Sequence, residues 1–108
     1  GGTLQTVNLV ELAEAKSLAN DSSAQVVDLR GVAEFNSGHL KGADNVFVGT
    51  LPNNLDKISK DKKVMIHCQG GDRAAIAYSI LVKNGFKNIV NYSAGMNEWL
   101  NAGEPVEN

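Results

Sequence analysis

The only cysteine of the chain, Cys68, ends an apolar run and opens the stretch Cys68-Gln69-Gly70-Gly71-Asp72-Arg73. A thiolate is a strong nucleophile, and it needs a setting that tolerates its negative charge. The residues that follow can supply one. Gly70 and Gly71 let the backbone turn tightly enough for several N–H groups to point inward, and the chain then enters a helix whose unpaired first amides favour an anion. A cysteine facing those groups should lose its proton more easily than a free thiol, and Arg73 adds a cation at the rim. The plainer alternative is a small apolar filler at a strand end, because free cysteine is among the most buried residue types. A filler requires neither an anion-shaped loop nor a cation beside it. The nucleophilic reading needs the sulfur to be open to solvent.

With one cysteine, no internal disulfide can form, and no second thiol within the chain can resolve a covalent intermediate on Cys68. Reducing surroundings suit such a thiol, so the expected location is cytoplasmic. Other polar residues carry weaker expectations. His67 adjoins Cys68, but neighbours on a strand point to opposite faces, which makes packing its expected role. His39, His67 and Cys68 lack the usual zinc-ligand spacing and a convincing fourth ligand, so a zinc site is not expected. Asp28 and Arg30 end a strand on the same sheet edge as Cys68. Arg30 is therefore a weak candidate contact for an anionic ligand, with an internal ion pair or hydrogen bonds to nearby loops as the stronger expectation. Asp72 could donate a proton, although a carboxylate at a helix start more often caps the backbone or faces water. Trp99 reads as core.

These residues need a scaffold, and 108 residues suffice for one core but not two. Residues 1–7 read as a linker or cloning remnant that could add an edge segment, 8–105 as the domain, and 106–108 as a tail. Asn8 and Glu11 have the spacing of a capping pair for a helix ending near Asn20, with Leu9, Leu12, Ala13 and Leu18 on one face. Strands are expected at 25–30, around 45–48, at 63–67 and at 88–92. Short helices are expected at 32–37 and 51–58. A longer helix spans 74–83 and stops at Asn84-Gly85, and a closing helix starts near Gly95 with Met96, Trp99 and Leu100 toward the core. This alternation predicts an α/β fold, a mostly parallel central sheet of four to five strands with helices on both faces. Ligands collect beyond the carboxyl ends of such strands, where Cys68 stands.

A net charge of -2 with no long like-charge block gives no reason to expect a nucleic-acid partner. The longest apolar stretches fall short of the roughly 18 residues that would mark a membrane span.

Taken together, CQGGDR, the upstream VVDLRGVAEFNSGHLKGADNV and the downstream GFKNIVNYSAGMNEW resemble a single-domain rhodanese, a sulfurtransferase, from about Asn8 to Pro105. The combined run of D-L-R, E-F, G-H-L, G-A and N-V is the specific part. The domain is also similar to the C-terminal rhodanese module of bacterial persulfide dioxygenase and sulfurtransferase fusion proteins, which would make it part of a larger multidomain protein. The resemblance implies that Cys68 attacks the outer sulfur of thiosulfate, glutathione persulfide or another small thiol persulfide. The resulting persulfide would pass its sulfur to an external thiol, sulfite or cyanide. Main-chain amides of Gln69, Gly70, Gly71, Asp72 and Arg73 would cradle the sulfur, and no metal or organic cofactor would be required. Because Asp72 sits beside Arg73, a thiol persulfide is expected to show a lower KM than dianionic thiosulfate.

Two alternatives remain at this level. The related phosphatases and arsenate reductases place five residues between cysteine and arginine, whereas four stand here, and the smaller ring suits one sulfur better than a tetrahedral oxyanion. A non-catalytic binding or regulatory module is the other, since fold alone does not prove turnover. The sequence departs from the family pattern at Ala74, where a hydroxyl residue is common, and at Ala94, where paired glycines are usual and an alanine is expected to shift the loop bordering the pocket.

Overall fold

The structure, a computed structural model, describes residues 8–108, so the linker and edge expectations for residues 1–7 lie outside the described residues. Four strands, β1 (Ala24–Asp28), β2 (Asp44–Asn45), β3 (Lys63–His67) and β4 (Ile89–Asn91), form one sheet in the order β2-β1-β3-β4. Every neighbouring pair is parallel. Parallel pairing demands a crossover between strands. Helix α2 (Val32–Asn36) serves β1 to β2, two 3-10 turns at Val48–Asn53 and Leu55–Lys57 serve β2 to β3, and α3 (Asp72–Lys83) serves β3 to β4. Helices α1 (Leu12–Ala19) and α4 (Gly95–Asn101) flank this unit in sequence.

The central strands are buried on both faces, which is why they read as continuous apolar runs rather than alternating ones. Val27, Val64, Ile66 and Cys68 face one core, closed by Ala74, Ala77, Tyr78 and Leu81 of α3. Val26, Met65 and Val90 face the other, closed by Ala15 and Leu18 of α1 and by Met96 and Trp99 of α4. The paired register Val26 with Met65 and Val27 with Ile66 aligns the two faces across the sheet. Cys68 thus shares a face with α3, the helix that its own loop begins. Among the described residues no helix is long and apolar enough to cross a membrane.

Several boundaries differ from the sequence expectation. Asn8 does not cap a helix; Glu11 is the residue before α1. Instead the Asn8 carbonyl accepts from the Asn91 amide at 2.8 Å and the Val10 amide donates to the Asn91 carbonyl at 3.0 Å. The outer edge of β4 would otherwise expose unpaired backbone groups, and satisfying them outweighs a cap. Leu9 is accordingly exposed, and so is Ala13, while Ala15 and Leu18 form the buried stripe of α1 with Leu12 and Ala19 packed beside them. Strand β1 stops at Asp28 rather than at 30, and β2 is cut to two residues. Leu100 is half exposed and does not join Met96 and Trp99 in the core. Within the C-terminal residues 106–108, Glu107 and His39 exchange main-chain hydrogen bonds of 2.9 and 2.8 Å.

The two-core arrangement sets a mutational contrast. Ile66→Ala should cost roughly 2–5 kcal/mol in urea denaturation, whereas Leu100→Ala should stay within about 0.5 kcal/mol. Equal losses would contradict the placing of Ile66 inside the core and Leu100 outside it.

Candidate active site

Cys68 follows the last residue of β3, and its Sγ accepts hydrogen bonds from the amides of Gly71, at 3.0 Å, and Ala74, at 3.4 Å. Of the cradle expected from Gln69 to Arg73, Gly71 is the member that makes this contact. Ala74 supplies the other donor through its main chain, a role that its missing hydroxyl does not affect. The loop is held in this orientation from behind. The first amides of α4, those of Met96 and Asn97, donate to the carbonyls of Cys68 and Gln69, each at 3.0 Å. These bonds fix the first two peptides of the loop, and the amides that reach the sulfur, those of Gly71 and Ala74, belong to later ones.

Two glycines make this close approach possible. Gly71 has φ 107°, and a Cβ there would lie 2.7 Å from the Ser93 carbonyl oxygen. Gly95 has φ 63°, and its Cβ would overlap the Cys68 carbonyl oxygen and lie 2.8 Å from that of Gln69. Ala94 was the residue expected to disturb this region, yet it holds an ordinary helical conformation with φ -67°. The position that demands glycine is Gly95, one residue later.

The expectation of an open cup is not met, because Cys68 is 1% exposed. The physical reason is the tight winding of the loop: a short span brings the Gly71 and Ala74 amides onto the sulfur while α4 fastens the other side. A ligand approaching from solvent can meet Sγ only if part of this surround yields.

Arg73 likewise departs from a free cation at the rim. Its Nη1 and Nη2 donate to Glu34 Oε1 at 2.7 Å and Oε2 at 3.0 Å, a two-bond fork across the gap between α3 and α2. Glu34 Oε1 also accepts from the Gly31 amide at 3.1 Å, so the carboxylate is fixed within its own helix start. Hydrogen bonding to Arg73 holds the Glu34 carboxyl down to about 2, and the same bonds push the Arg73 guanidinium further up. Glu34 was not singled out from sequence as a functional residue. Its signal was present in the E-F element, but nothing local shows which cation it meets. Asp72 is exposed at the first position of α3.

Arg30 takes the internal alternative. At 4% exposure, its Nε donates to both Asp28 carboxylate oxygens at 3.0 and 3.1 Å, and its Nη2 donates to Asp28 Oδ2 at 2.8 Å and the Gly38 carbonyl at 2.7 Å. Its remaining nitrogen, Nη1, donates to Gln69 Oε1 at 3.2 Å, and Gln69 Nε2 donates to Asn97 Oδ1 at 2.7 Å. Arg30 therefore braces the loop through Gln69 and does not present its guanidinium to solvent. His67 is fully buried, with Nε2 3.9 Å from Asp28 Oδ2, and burial pushes its pKa below the ordinary histidine value, which leaves the ring neutral. His39 stacks on Phe35 with ring centroids 3.7 Å apart, and Trp99 is buried with its Nε1 donating to the Pro105 carbonyl at 2.9 Å. Among the described residues no group of three or more His, Cys, Asp or Glu is placed to hold a metal ion.

The pattern of the rhodanese-like domain matches residues 11–102. The chain belongs to the rhodanese-like family. It is 35% identical over 88 residues to an uncharacterised protein of Bacillus subtilis, covering 82% of this chain and 70% of the relative. It is 29% identical over 96 residues to a thiosulfate sulfurtransferase of Shewanella oneidensis, covering 89% of each. The crystal structure of a rhodanese-related protein from Thermoplasma volcanium superposes with a TM-score of 0.83 at 27% identity, covering 93% of this chain and 97% of that one. Some relatives are longer: the chain spans 43% and 26% of the length of two other curated proteins it matches. The rhodanese-like fold therefore agrees with the sequence expectation, and sulfurtransferase relatives accompany it.

Two measurements test the site's construction. Gly95→Ala should lower stability by roughly 1–3 kcal/mol from its left-handed backbone alone, with a further loss from contact with the Cys68 carbonyl, as read by chemical denaturation. Wild-type stability would contradict the packing of α4 against the loop. The Glu34 carboxyl, at about 2 when folded against an ordinary 4.5, should stabilise the fold fully above about pH 4.5 and lose that contribution as pH falls toward about 2. The stability difference between wild type and Glu34→Gln should therefore be flat at neutral pH and shrink in acid. A difference that grows on acidification would reverse the assignment.

Proposed function

We propose that this rhodanese-like domain is a sulfurtransferase that carries a sulfane sulfur on Cys68. The observation that supports it most directly is the pair of amides, from Gly71 and Ala74, donating to the sulfur of the only cysteine. Hydrogen-bond donors aimed at sulfur stabilise its anion more than its neutral thiol, and the anion is the nucleophile. In the first step the Cys68 thiolate attacks the outer sulfur of thiosulfate or a small thiol persulfide. The bond from Sγ to that sulfur forms as the donor's sulfur–sulfur bond breaks, and sulfite or a thiolate leaves with the electron pair. In the second step a thiolate, sulfite or cyanide attacks the terminal sulfur, and the Cys68 thiolate leaves. Sulfur moves without net loss of electrons from the pair of reactants.

The burial of Cys68 counts against the open thiol that the sequence reading required, so this proposal holds only if the loop yields for the donor to arrive. Gln69, tied to Arg30 and Asn97, is the side chain through which such movement is restrained. The four-residue spacing to Arg73 continues to favour one sulfur over a phosphate, and Arg73 is already engaged by Glu34. A cytoplasmic setting, where the thiol stays reduced between cycles, fits the cycle.

Intact-protein mass spectrometry after treatment with thiosulfate, and separately with glutathione persulfide, should show a gain of one sulfur atom. Cyanide or dithiothreitol should remove it, and Cys68→Ser should abolish it. Unmodified protein with both donors would overturn the proposal. Hydrolysis of an aryl phosphate in place of sulfur gain would favour phosphatase chemistry on this scaffold.

A further inference from the structure

The charges around the sulfur loop form two closed pairs. Arg30 is bound to Asp28 through Nε and Nη2, and Arg73 is bound to Glu34 through both terminal nitrogens. The pairs also sense one another. Arg30 contributes to holding Glu34 ionised, though less than Arg73 does, and Asp28 adds to the larger effect of Glu34 on Arg73. Arg73 lies at the start of α3 between Gly71 and Ala74, the two residues whose amides bind the sulfur, yet its charge is answered by a carboxylate in direct contact. Asp72, exposed at the start of α3 next to Arg73, adds a negative charge at the same rim. These five side chains sum to one negative charge before the thiolate itself is counted.

Such a rim distinguishes donors by charge. Attack by a thiolate on a dianion brings like charges together, and a free arginine would offset that repulsion. We propose that Glu34 sets donor specificity at this site: by neutralising Arg73 it withholds a cation from dianionic donors and favours sulfane donors of low charge at the reacting end, such as small thiol persulfides. The inference rests on the sulfurtransferase reading and assigns a specificity role to a residue that need not touch the reacting sulfur. Its geometry suits the role. Both oxygens of Glu34 are engaged by Arg73, and the Gly31 amide anchors one of them, so the carboxylate cannot swing aside without breaking three hydrogen bonds.

The experiment compares kcat/KM for thiosulfate and for cysteine persulfide in the wild type and in Glu34→Gln, with sulfur gain on Cys68 followed by mass spectrometry. Glutamine keeps the size and an acceptor oxygen but removes the charge. The ratio of thiosulfate to persulfide kcat/KM should rise about tenfold in the variant, as expected for uncovering one charge near a dianion. Ionic strength supplies a second reading that needs no mutation. Wild-type kcat/KM for thiosulfate should be flat or rise with added salt, because no unanswered cation attracts it, and in Glu34→Gln it should fall. A wild-type rate with thiosulfate that falls steeply with salt would overturn the role of Glu34 even if the variant failed to fold. Sulfur gain with an unchanged donor ratio would overturn that role alone, whereas absence of sulfur on Cys68 with either donor would overturn the sulfurtransferase reading and this inference with it.

Discussion

The two hydrogen bonds from the start of α4 to the carbonyls of Cys68 and Gln69 are the constraint on which the site depends. A loop leaving a strand carries carbonyls that no ladder pairs, and here those of Cys68 and Gln69, in the two peptides that precede the Gly71 and Ala74 amides on the sulfur, need donors from elsewhere. The Met96 and Asn97 amides are otherwise without partners at a helix start, and they meet that demand. One arrangement therefore satisfies two sets of unpaired groups. Its steric cost falls at Gly95, where any side chain would collide with the very carbonyls being held. The closeness of this packing also explains why Cys68 is nearly sealed, since the interactions that orient its surround leave little space around it.

Around this loop, charge is arranged in layers of decreasing burial. Asp28 and Arg30 are nearly inaccessible, and their ion pair is completed by the Gly38 carbonyl and by Gln69. A buried pair with its remaining hydrogen-bond capacity filled gives rigidity and register more surely than net stability. It links the end of β1 to the loop after β3. Glu34 and Arg73 are half-exposed and link α2 to α3. Arg30 thus reaches the loop through Gln69, whereas Arg73 ties the start of α3, which carries Asp72 and Ala74, to α2 and has its charge answered there.

Much of the fold could be read from local pattern. Strand β3 was expected at 63–67 and lies there, and the end of α3 at Asn84-Gly85 follows from a glycine with φ 87°. Those elements have long apolar runs or strong stop signals. The misreading of Asn8 has its cause in a distant partner. Its capping pattern was overruled by the open edge of β4, and on α4 Leu100 lies half exposed beside the buried Met96 and Trp99. At the site, Cys68 and its glycine loop were legible because adjacent residues build them. Glu34, the Ala74 amide and the requirement at Gly95 were not, since each acquires meaning only from a group brought to it by folding.

Sequence alone determined the local succession of a lone thiol, a short glycine loop and a helix start, which backbone geometry turns into a tight turn with amides on the sulfur. Tertiary structure decided the setting of that turn. It drew α4 behind the loop, answered Arg73 with Glu34, turned Arg30 inward and closed Cys68 from solvent. Each of these joins residues far apart in the chain. Electrostatic balance and access depend on distances across space, and local sequence spacing does not specify them.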